Sequence, residues 1–299
     1  MDGGTSSTPL KDWYPTMEAR WARDIDPAVP SAARMYDYFL GGSHNFAADR
    51  EAARAVIEAM PDAPLLARVN RAFLRRAVRF LVAGGVRQFL DIGSGVPTVG
   101  NVHEIAQGLD PEARVVYVDV DPVAVAHARH MLEGNTRAAA IVADLRRPEE
   151  LLSLLEHPQR RAVLDLSRPV GLLMVSMLHF VPGEETYQAV AALRDVLAPG
   201  SYLVISHPIS EAIDVQAADT VQEVYRHTTT PGGLRTRAEV LRFFDGFGLV
   251  PPGLVWISDW QPEDGDLLAD QSGPVGMLAG VGRVDPQPVG PLAVETAAS

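Results

Sequence analysis

The chain has 299 residues, of which 47% are hydrophobic and 21% charged, a composition typical of globular proteins and not of disordered ones. It contains no cysteine, which excludes disulfides, thiolate nucleophiles and thiolate metal sites. Its formal charge of −12 argues against a nucleic-acid partner, because the neutralisation of phosphates requires a cationic face.

The sequence gives no sign of a membrane partner or of export. No apolar run approaches the ~20 residues that a spanning helix needs. The start, MDGGTSSTPLKDW, lacks the basic region and apolar core of a signal peptide, which favours a cytoplasmic protein. Residues 1–29 and 286–299 are expected to be flexible tails. The oligomeric state is not indicated.

Three helices are predicted within residues 30–84, ahead of the first strand. Ser31 is a candidate N-cap for a short helix that Gly41 or Gly42 ends. Helical periodicity then continues over 49–60 and 64–82. We expect these helices to form an N-terminal cap over the carboxyl ends of the sheet strands.

The segment 87–98, RQFLDIGSGVPT, predicts a buried strand, an acidic glycine-rich turn and a helix start, with Thr98 as the N-cap. Gly93 and Gly95 permit a tight turn and a close approach of a ligand. The carboxylate of Asp91 would repel a diphosphate but would hold a cationic amino-acid group. A dinucleotide site would also need a third glycine at position 98, where this chain has threonine.

Two further predicted strands, 114–119 and 138–143, also end at an acid. Asp119 occupies a position from which a carboxylate accepts hydrogen bonds from both ribose hydroxyls. Asp121 and Pro122 then suit a helix N-terminus. Asp144 suits an adenine amino group, and the next backbone N–H suits a ring nitrogen. Three acid-terminated strands in order predict a site for S-adenosylmethionine (SAM).

The remaining elements alternate between helix and strand, which predicts an α/β fold with a doubly wound sheet over residues 85–285. Thr236 and Glu239 form a capping box that opens one of the helices. The other predicted elements are a helix at 149–156, a strand at 169–176, helices at 184–197 and 215–226, and strands at 201–206, 249–260 and 275–283.

Six segments together resemble a bacterial S-adenosyl methyltransferase family long catalogued as a domain of unknown function. They are PSAARMYDYFLGGSHNFAADREAA from residue 30, LDIGSGVPTVGNVHE, VVYVDVDP, VADLRRP, LHFVP and LAPGSYLVISH. The resemblance runs from Pro30 to Arg283 and implies the Rossmann-like fold of class I SAM-dependent methyltransferases, with antiparallel final strands and SAM as the cofactor. It does not establish a methyl acceptor. Pro97 replaces a glycine common in the class, so a stiffer loop is expected there.

The predicted cofactor contacts are Asp91, Gly93, Ser94, Gly95, Asp119, Val120, Asp144, Leu145 and Ser176. His179 follows the fourth strand and is the candidate general base, or else a structural donor that holds its loop. His207 is a weaker candidate, and His103 is expected to pack on its helix. No metal is expected, because the acids and histidines show no recognisable ligand spacing.

Tyr36, Tyr38 and Asn45 are candidate contacts in the cap, where aromatic faces would attract a sulfonium and shape an acceptor pocket. The alternative for Tyr36 is an apolar helix face docked on the sheet.

The sequence therefore predicts a SAM-dependent methyltransferase that acts on a small molecule. A second hypothesis is a regulator or sensor that binds SAM or S-adenosylhomocysteine (SAH) without transfer, since no base is sharply defined. It predicts a pocket without access for an acceptor. A third, a nicotinamide-dependent oxidoreductase, needs a diphosphate beside Asp91.

Overall fold

The computed structural model describes residues 26–98, 100–266 and 276–285. The predicted C-terminal tail, and all but residues 26–29 of the predicted N-terminal one, lie outside these ranges. The described residues form ten α helices and one eight-stranded sheet. None of these helices is long and apolar enough to cross a membrane.

The helices are α1 Ala32–Phe39, α2 Ala47–Ala59, α3 Ala63–Ala83, α4 Val102–Leu109, α5 Pro122–Met131, α6 Pro148–Glu156, α7 Pro158–Arg161, α8 Glu185–Asp195, α9 Val215–Arg226 and α10 Arg237–Arg242. The strands are β1 Gln88–Ile92, β2 Arg114–Asp119, β3 Ala138–Val142, β4 Gly171–Val175, β5 Tyr202–Pro208, β6 Gly248–Leu249, β7 Val255–Trp256 and β8 Met277–Arg283. The short 3-10 helix Leu178–Phe180 follows β4.

The sheet has the strand order β3-β2-β1-β4-β5-β8-β6, and β7 also pairs with β8. Strands β1 to β5 are parallel, whereas β8 runs antiparallel to β5, as predicted for the last strand. The order reverses between β1 and β4, and in open α/β sheets ligands bind outside the carboxyl ends of the strands at such a switch point.

Two apolar layers cover the sheet, one on each face, which confirms the doubly wound prediction. Helices α3, α4 and α5 pack on one face and α6, α8 and α10 on the other. Neighbouring residues of β1 alternate between the layers, because successive side chains of a strand point to opposite faces: Phe89 packs in the first layer, Leu90 and Ile92 in the second.

A third, smaller cluster lies in the cap. Met35 and Phe39 of α1 pack against Val56 of α2, and Val221 and Tyr225 of α9 add to it. The cap therefore includes a helix from the segment after β5 as well as the N-terminal helices. Most of α3 belongs to the layer on the sheet. The domain boundaries at residues 29, 84 and 285 remain predictions.

Two glycines, Gly41 and Gly42, follow α1, and each position takes glycine for a different reason. Gly41 has φ +79°, which favours glycine. A Cβ on Gly42 would stand 2.0 Å from the carboxylate Oδ1 of Asp37. Asn45 completes the turn by donating to the Asp37 carboxylate at 2.7 Å and to the Gly42 carbonyl at 3.0 Å.

Two local predictions were wrong. The predicted strand 249–260 is two short strands, β6 and β7, separated by Pro251 and Pro252, which have no N–H to donate to a ladder. The helix after the glycine loop is capped by Asn101 and not by Thr98. The backbone N–H of Asn101 donates to the Glu104 carboxylate at 2.7 Å, so helix α4 starts three residues later than a Thr98 cap would have placed it.

Candidate functional site

Two adjoining cavities lie at the carboxyl ends of the strands. The strand-end cavity, about 1020 Å³, is lined by the ends of β1, β2 and β4, the residues after β3, and parts of α1 and α3. The cap cavity, about 950 Å³, is lined by α1, α2, α3 and α9 together with the residues after β4. They share five lining residues: Ala32, Tyr36, Asn70, Ser176 and Phe180.

All nine predicted cofactor contacts line the strand-end cavity. The parallel register explains this convergence. Asp91 is the next-to-last residue of β1 and Asp119 is the last residue of the neighbouring β2. Ala143 N donates to the carbonyl of Asp119 at 3.1 Å, which holds Asp144 at the same edge.

The carboxyl group of Asp91 is buried at the end of β1. Burial raises its pKa to about 7; the Arg71 guanidinium opposes this rise and the Asp119 carboxylate adds to it. Arg71 also lines the cavity, from α3, and donates to the Gly100 carbonyl at 2.7 Å. One end of the cavity thus contains an acid and a cation.

Asp119 holds the glycine loop in place. Its carboxylate accepts from Gly95 N at 2.7 Å and from Asp121 N at 2.8 Å. Burial raises the pKa of Asp119 to about 6, although these two hydrogen bonds favour the ionised form. Gly93 has φ +70°, and a Cβ there would lie 2.5 Å from the Cβ of Met177, so the loop passes too close to its neighbour for any side chain.

Asp144 is held by a neighbour that the sequence analysis did not single out as a site residue. The Arg146 guanidinium bonds both of its carboxylate oxygens, at 2.7 to 2.9 Å, and also lines the cavity. Partial burial raises the pKa of Asp144, but the hydrogen bonds and charge of Arg146 outweigh it, so the net shift is downward.

Ser176 lies where the two cavities meet, and its backbone is in a rare conformation. Its φ is +55°, in the left-handed region that costs energy for a residue with a Cβ. Its N–H donates to the Ser206 carbonyl at 3.1 Å. Such a strained conformation persists only where surrounding contacts hold it in place, and it is frequent at functional sites.

Tyr36 belongs to a buried chain of hydrogen bonds at the same junction. Its hydroxyl donates to the Ala67 carbonyl at 3.0 Å and accepts from Asn70 at 2.9 Å. The side-chain amide oxygen of Asn70 in turn accepts from the Ser206 hydroxyl at 2.6 Å. The chain links α1, α3 and β5 and fixes the ring of Tyr36 in the wall between the cavities.

His179 lines the cap cavity, and among the described residues its Nδ1 is buried without a hydrogen-bond partner. Burial lowers the pKa of His179 well below its usual range, and nearby His207 and Arg235 lower it further. The imidazole is therefore neutral at pH 7. Arg235 fixes its loop by donating to the carbonyls of Leu178 at 2.8 Å and Val181 at 2.7 Å.

The other two histidines are held in internal contacts. His207 is fully buried, its Nδ1 bonded to the Pro208 carbonyl and its Nε2 to Arg235 at 3.1 Å, and burial lowers its pKa to about 4. His103 was expected to pack on its own helix, but it contacts β2, where its Nδ1 meets the Tyr117 hydroxyl at 2.8 Å. Neither lines either cavity.

Two of the three cap candidates lie away from the cavities. Tyr38 packs at the edge of the cap cluster, with the Arg54 guanidinium over its ring at 5.8 Å. Asn45 holds the Gly-Gly turn and accepts from Arg50 at 3.1 Å. Of the three candidates, only Tyr36 lines the cavities, and it lines both.

A buried ionic network ties the cap to the site. Arg34 of α1 donates to Asp49 of α2 at 2.8 Å and to Asp121 at 2.9 Å. Asp121 also caps α5 by accepting from Val123 N at 2.8 Å. Ser31 hydroxyl donates to the same Asp121 carboxylate at 2.5 Å. The network fixes α1 and α2 beside the end of β2.

Sequence reasoning missed several residues of this site: Arg34, Asn70, Arg71, Arg146 and Phe180. Four of them lie on helices or turns with no local signature. For Arg34 the sequence does contain a signal, since an arginine within an otherwise apolar helix face needs acids in its surroundings.

Comparison with known proteins gives one family. The profile described as S-adenosyl methyltransferase matches residues 18–285. A crystal structure of a candidate methyltransferase from Thermobifida fusca is 40% identical, with a TM-score of 0.79 over 87% of this chain and 96% of that one. A DUF574 family protein from Streptomyces avermitilis is 38% identical, with a TM-score of 0.80 over 87% and 99%. Among curated proteins none matches.

Proposed function

The chain belongs to the S-adenosyl methyltransferase family, and from this premise we propose that it transfers the methyl group of SAM to a small-molecule acceptor bound in the cap cavity. Its fold is the Rossmann-like fold of class I methyltransferases, and SAM is its cofactor. When bound, SAM supplies a methyl group on a sulfonium, an electrophile that needs no further activation.

The residues of the strand-end cavity fit the parts of SAM. Asp91 would hold the ammonium group of the methionine moiety, and Arg71 its carboxylate. Asp119, which already anchors Gly95, would accept from the ribose hydroxyls. The loop is also tight, because Gly93 lets its backbone pass closer to Met177 than any side chain would permit.

Asp144 and the backbone of Leu145 would bind the adenine. The Asp144 carboxylate is already bonded to Arg146, but its two oxygens have about four lone-pair sites and can accept from the adenine amino group as well.

The observation that carries the proposal is the shared wall of the two cavities. Tyr36 and Phe180 face both spaces, and aromatic rings attract a cation such as a sulfonium. Ser176, with its strained backbone, lies in the same wall. An acceptor in the cap cavity would therefore be adjacent to the cofactor, and positioning is the main contribution such an enzyme makes.

His179 is the residue of the cap cavity that can take a proton. Because it lines the cavity with a neutral imidazole, His179 would accept the proton that an acceptor hydroxyl loses as its oxygen gains the methyl group.

The sensor hypothesis lacks support of this kind. It predicts a cofactor pocket without access for an acceptor, whereas the strand-end cavity adjoins a second one of comparable size.

Calorimetric titration of the purified protein with SAM, SAH and NADH tests the proposal. We expect micromolar binding of the first two and none of NADH. Folded protein that binds neither sulfur ligand would refute the cofactor assignment. Scintillation counting of radiolabelled methyl transferred from SAM to a panel of small molecules then tests transfer, and tight SAM binding with no transfer across a broad panel would favour the sensor.

A further inference from the structure

The cap cavity has a wall without formal charge. Of the residues that line it in the described part of the chain, none is Asp, Glu, Lys or Arg. Most are aliphatic or aromatic, contributed by every element around the cavity: Phe39, Val56, Met60, Leu66, Phe180, Ile213, Val221, Leu234 and Met277.

The polar groups of that wall are few. The Tyr36 hydroxyl and the Asn70 amide are bonded to each other and to further partners. His179 lines the wall with an imidazole that is neutral at pH 7. Ser176, Gln222 and Tyr225 add two hydroxyls and an amide, so a bound molecule would meet a few neutral polar groups and otherwise apolar surface.

The apolar face of helix α9 is only partly covered by other parts of the protein. None of its residues is buried, although Ala218, Val221 and Tyr225 line the cavity. An amphipathic helix normally buries its apolar stripe. Here α2 covers one part of the stripe, and the remainder faces the open cavity. An apolar molecule in the cavity would complete the burial.

We propose that the methyl acceptor is an uncharged, largely apolar small molecule that carries a neutral polar group such as a hydroxyl, and that it binds between α2 and α9. This inference rests on the proposed function, because it specifies the acceptor of the same site. Desolvation of a carboxylate, phosphate or ammonium group in this wall has no compensating partner, so charged analogues are rejected.

Fluorescence titration with matched probes tests the proposal. The neutral 2-naphthol and 9-phenanthrol are compared with 2-naphthoate and phenanthrene-9-carboxylate, which share their ring systems and are anionic at pH 7. Each is titrated at pH 7 with and without saturating SAH. We expect each phenol to bind at least about tenfold more tightly than its carboxylate. Equal binding, tighter binding of the carboxylates, or no binding of either phenol would overturn the proposal.

Two valine variants of α9 locate the binding site. Val221→Trp fills the cavity, whereas Val215→Trp makes the same change at a position that is 75% exposed and outside the cavity. We expect Val221→Trp to weaken phenol binding by about tenfold or more and Val215→Trp to leave it unchanged. Equal effects of the two would place the probe elsewhere.

The same variants separate this proposal from the proposed function. Both should retain wild-type affinity for SAH, because neither valine lines the strand-end cavity. If the wild type fails to bind SAH yet discriminates between phenol and carboxylate, the proposed function fails and the character of the cavity stands. If SAH binds and the discrimination is absent, the inference about the acceptor fails alone.

Discussion

Lowering the pH from 7.5 to 5 should weaken the binding of SAM through the protonation of Asp91. Burial raises the pKa of this carboxyl to about 7, so the free protein loses its negative charge within this range. The ionised form attracts an ammonium group and the protonated form does not. SAM affinity is therefore expected to be full above the pKa and to decline as the pH falls through it.

The magnitude follows from the pKa. If binding requires the ionised form, the Kd is multiplied by the ratio of total to ionised Asp91. With a pKa of about 7, this ratio gives about a tenfold weakening at pH 6 and about a hundredfold at pH 5. Asp119, with a pKa of about 6, makes the decline steeper below pH 6.

Calorimetry with two ligands separates the contributions of Asp91 and Asp119 to the pH dependence of binding. SAH retains the amino-acid end and should show the whole decline. Adenosine has the ribose without the ammonium group, so its affinity should hold down to about pH 6 and fall only below the pKa of Asp119. Circular dichroism at each pH checks that the protein stays folded.

Two amide variants provide the matched comparison. Asp91→Asn should weaken SAM binding at pH 7.5 by roughly ten- to a hundredfold and remove the decline between pH 7.5 and 6. Asp144→Asn, in the same cavity, should weaken binding but keep the decline, because the pKa of Asp144 is lowered and its carboxylate stays ionised. A wild-type affinity independent of pH, or an unchanged slope in Asp91→Asn, would refute the role of Asp91.

Three further substitutions test other parts of the site. Asp119→Ala should weaken SAM binding about ten- to a hundredfold by calorimetry, since about 1–3 kcal/mol of hydrogen bonding to the ribose is lost; unchanged affinity would remove the ribose assignment. His179→Asn should spare SAM affinity and lower the rate of methyl transfer by about 10²–10⁴-fold, and an unchanged rate would leave His179 a structural role. Arg34→Met should cost about 3–5 kcal/mol of unfolding free energy in urea, because it leaves two buried carboxylates without a cation. Arg242→Met, in an exposed pair, should cost much less, and equal losses in the two variants would contradict the network's role.

Local chemistry made much of the framework predictable. The helix at 215–226 and the strand at 114–119 coincide with α9 and β2, because each has clear periodicity and a marked boundary. Asp121 and Pro122 start α5 as predicted, since a side-chain cap and a fixed φ act within one turn. The prediction that strand-ending acids converge needed only the rule that parallel strands share one carboxyl edge.

Where several local signals competed, the prediction was less accurate. Thr98 and Asn101 can both cap a helix, and the Glu104 carboxylate decides in favour of Asn101. Asn45 was predicted to be a contact in the cap, but its side chain donates to the buried Asp37 carboxylate within the turn. A buried acid selects its donors by proximity in space, which the order of residues does not give.

The amino-acid order alone predicts the α/β class, the order of the elements, the glycine loop and the convergence of the three acids, because each depends on contacts within a few residues or on the regular geometry of a parallel sheet. Three other features arise from the packing of distant segments: α9 joins the cap, Arg34 bridges Asp49 and Asp121, and a second, uncharged cavity adjoins the first at Tyr36 and Ser176. Arg34 and Asp121 are 87 residues apart. Cavities and buried ion pairs depend on which side chains distant segments bring together, and no local preference of the chain encodes that choice.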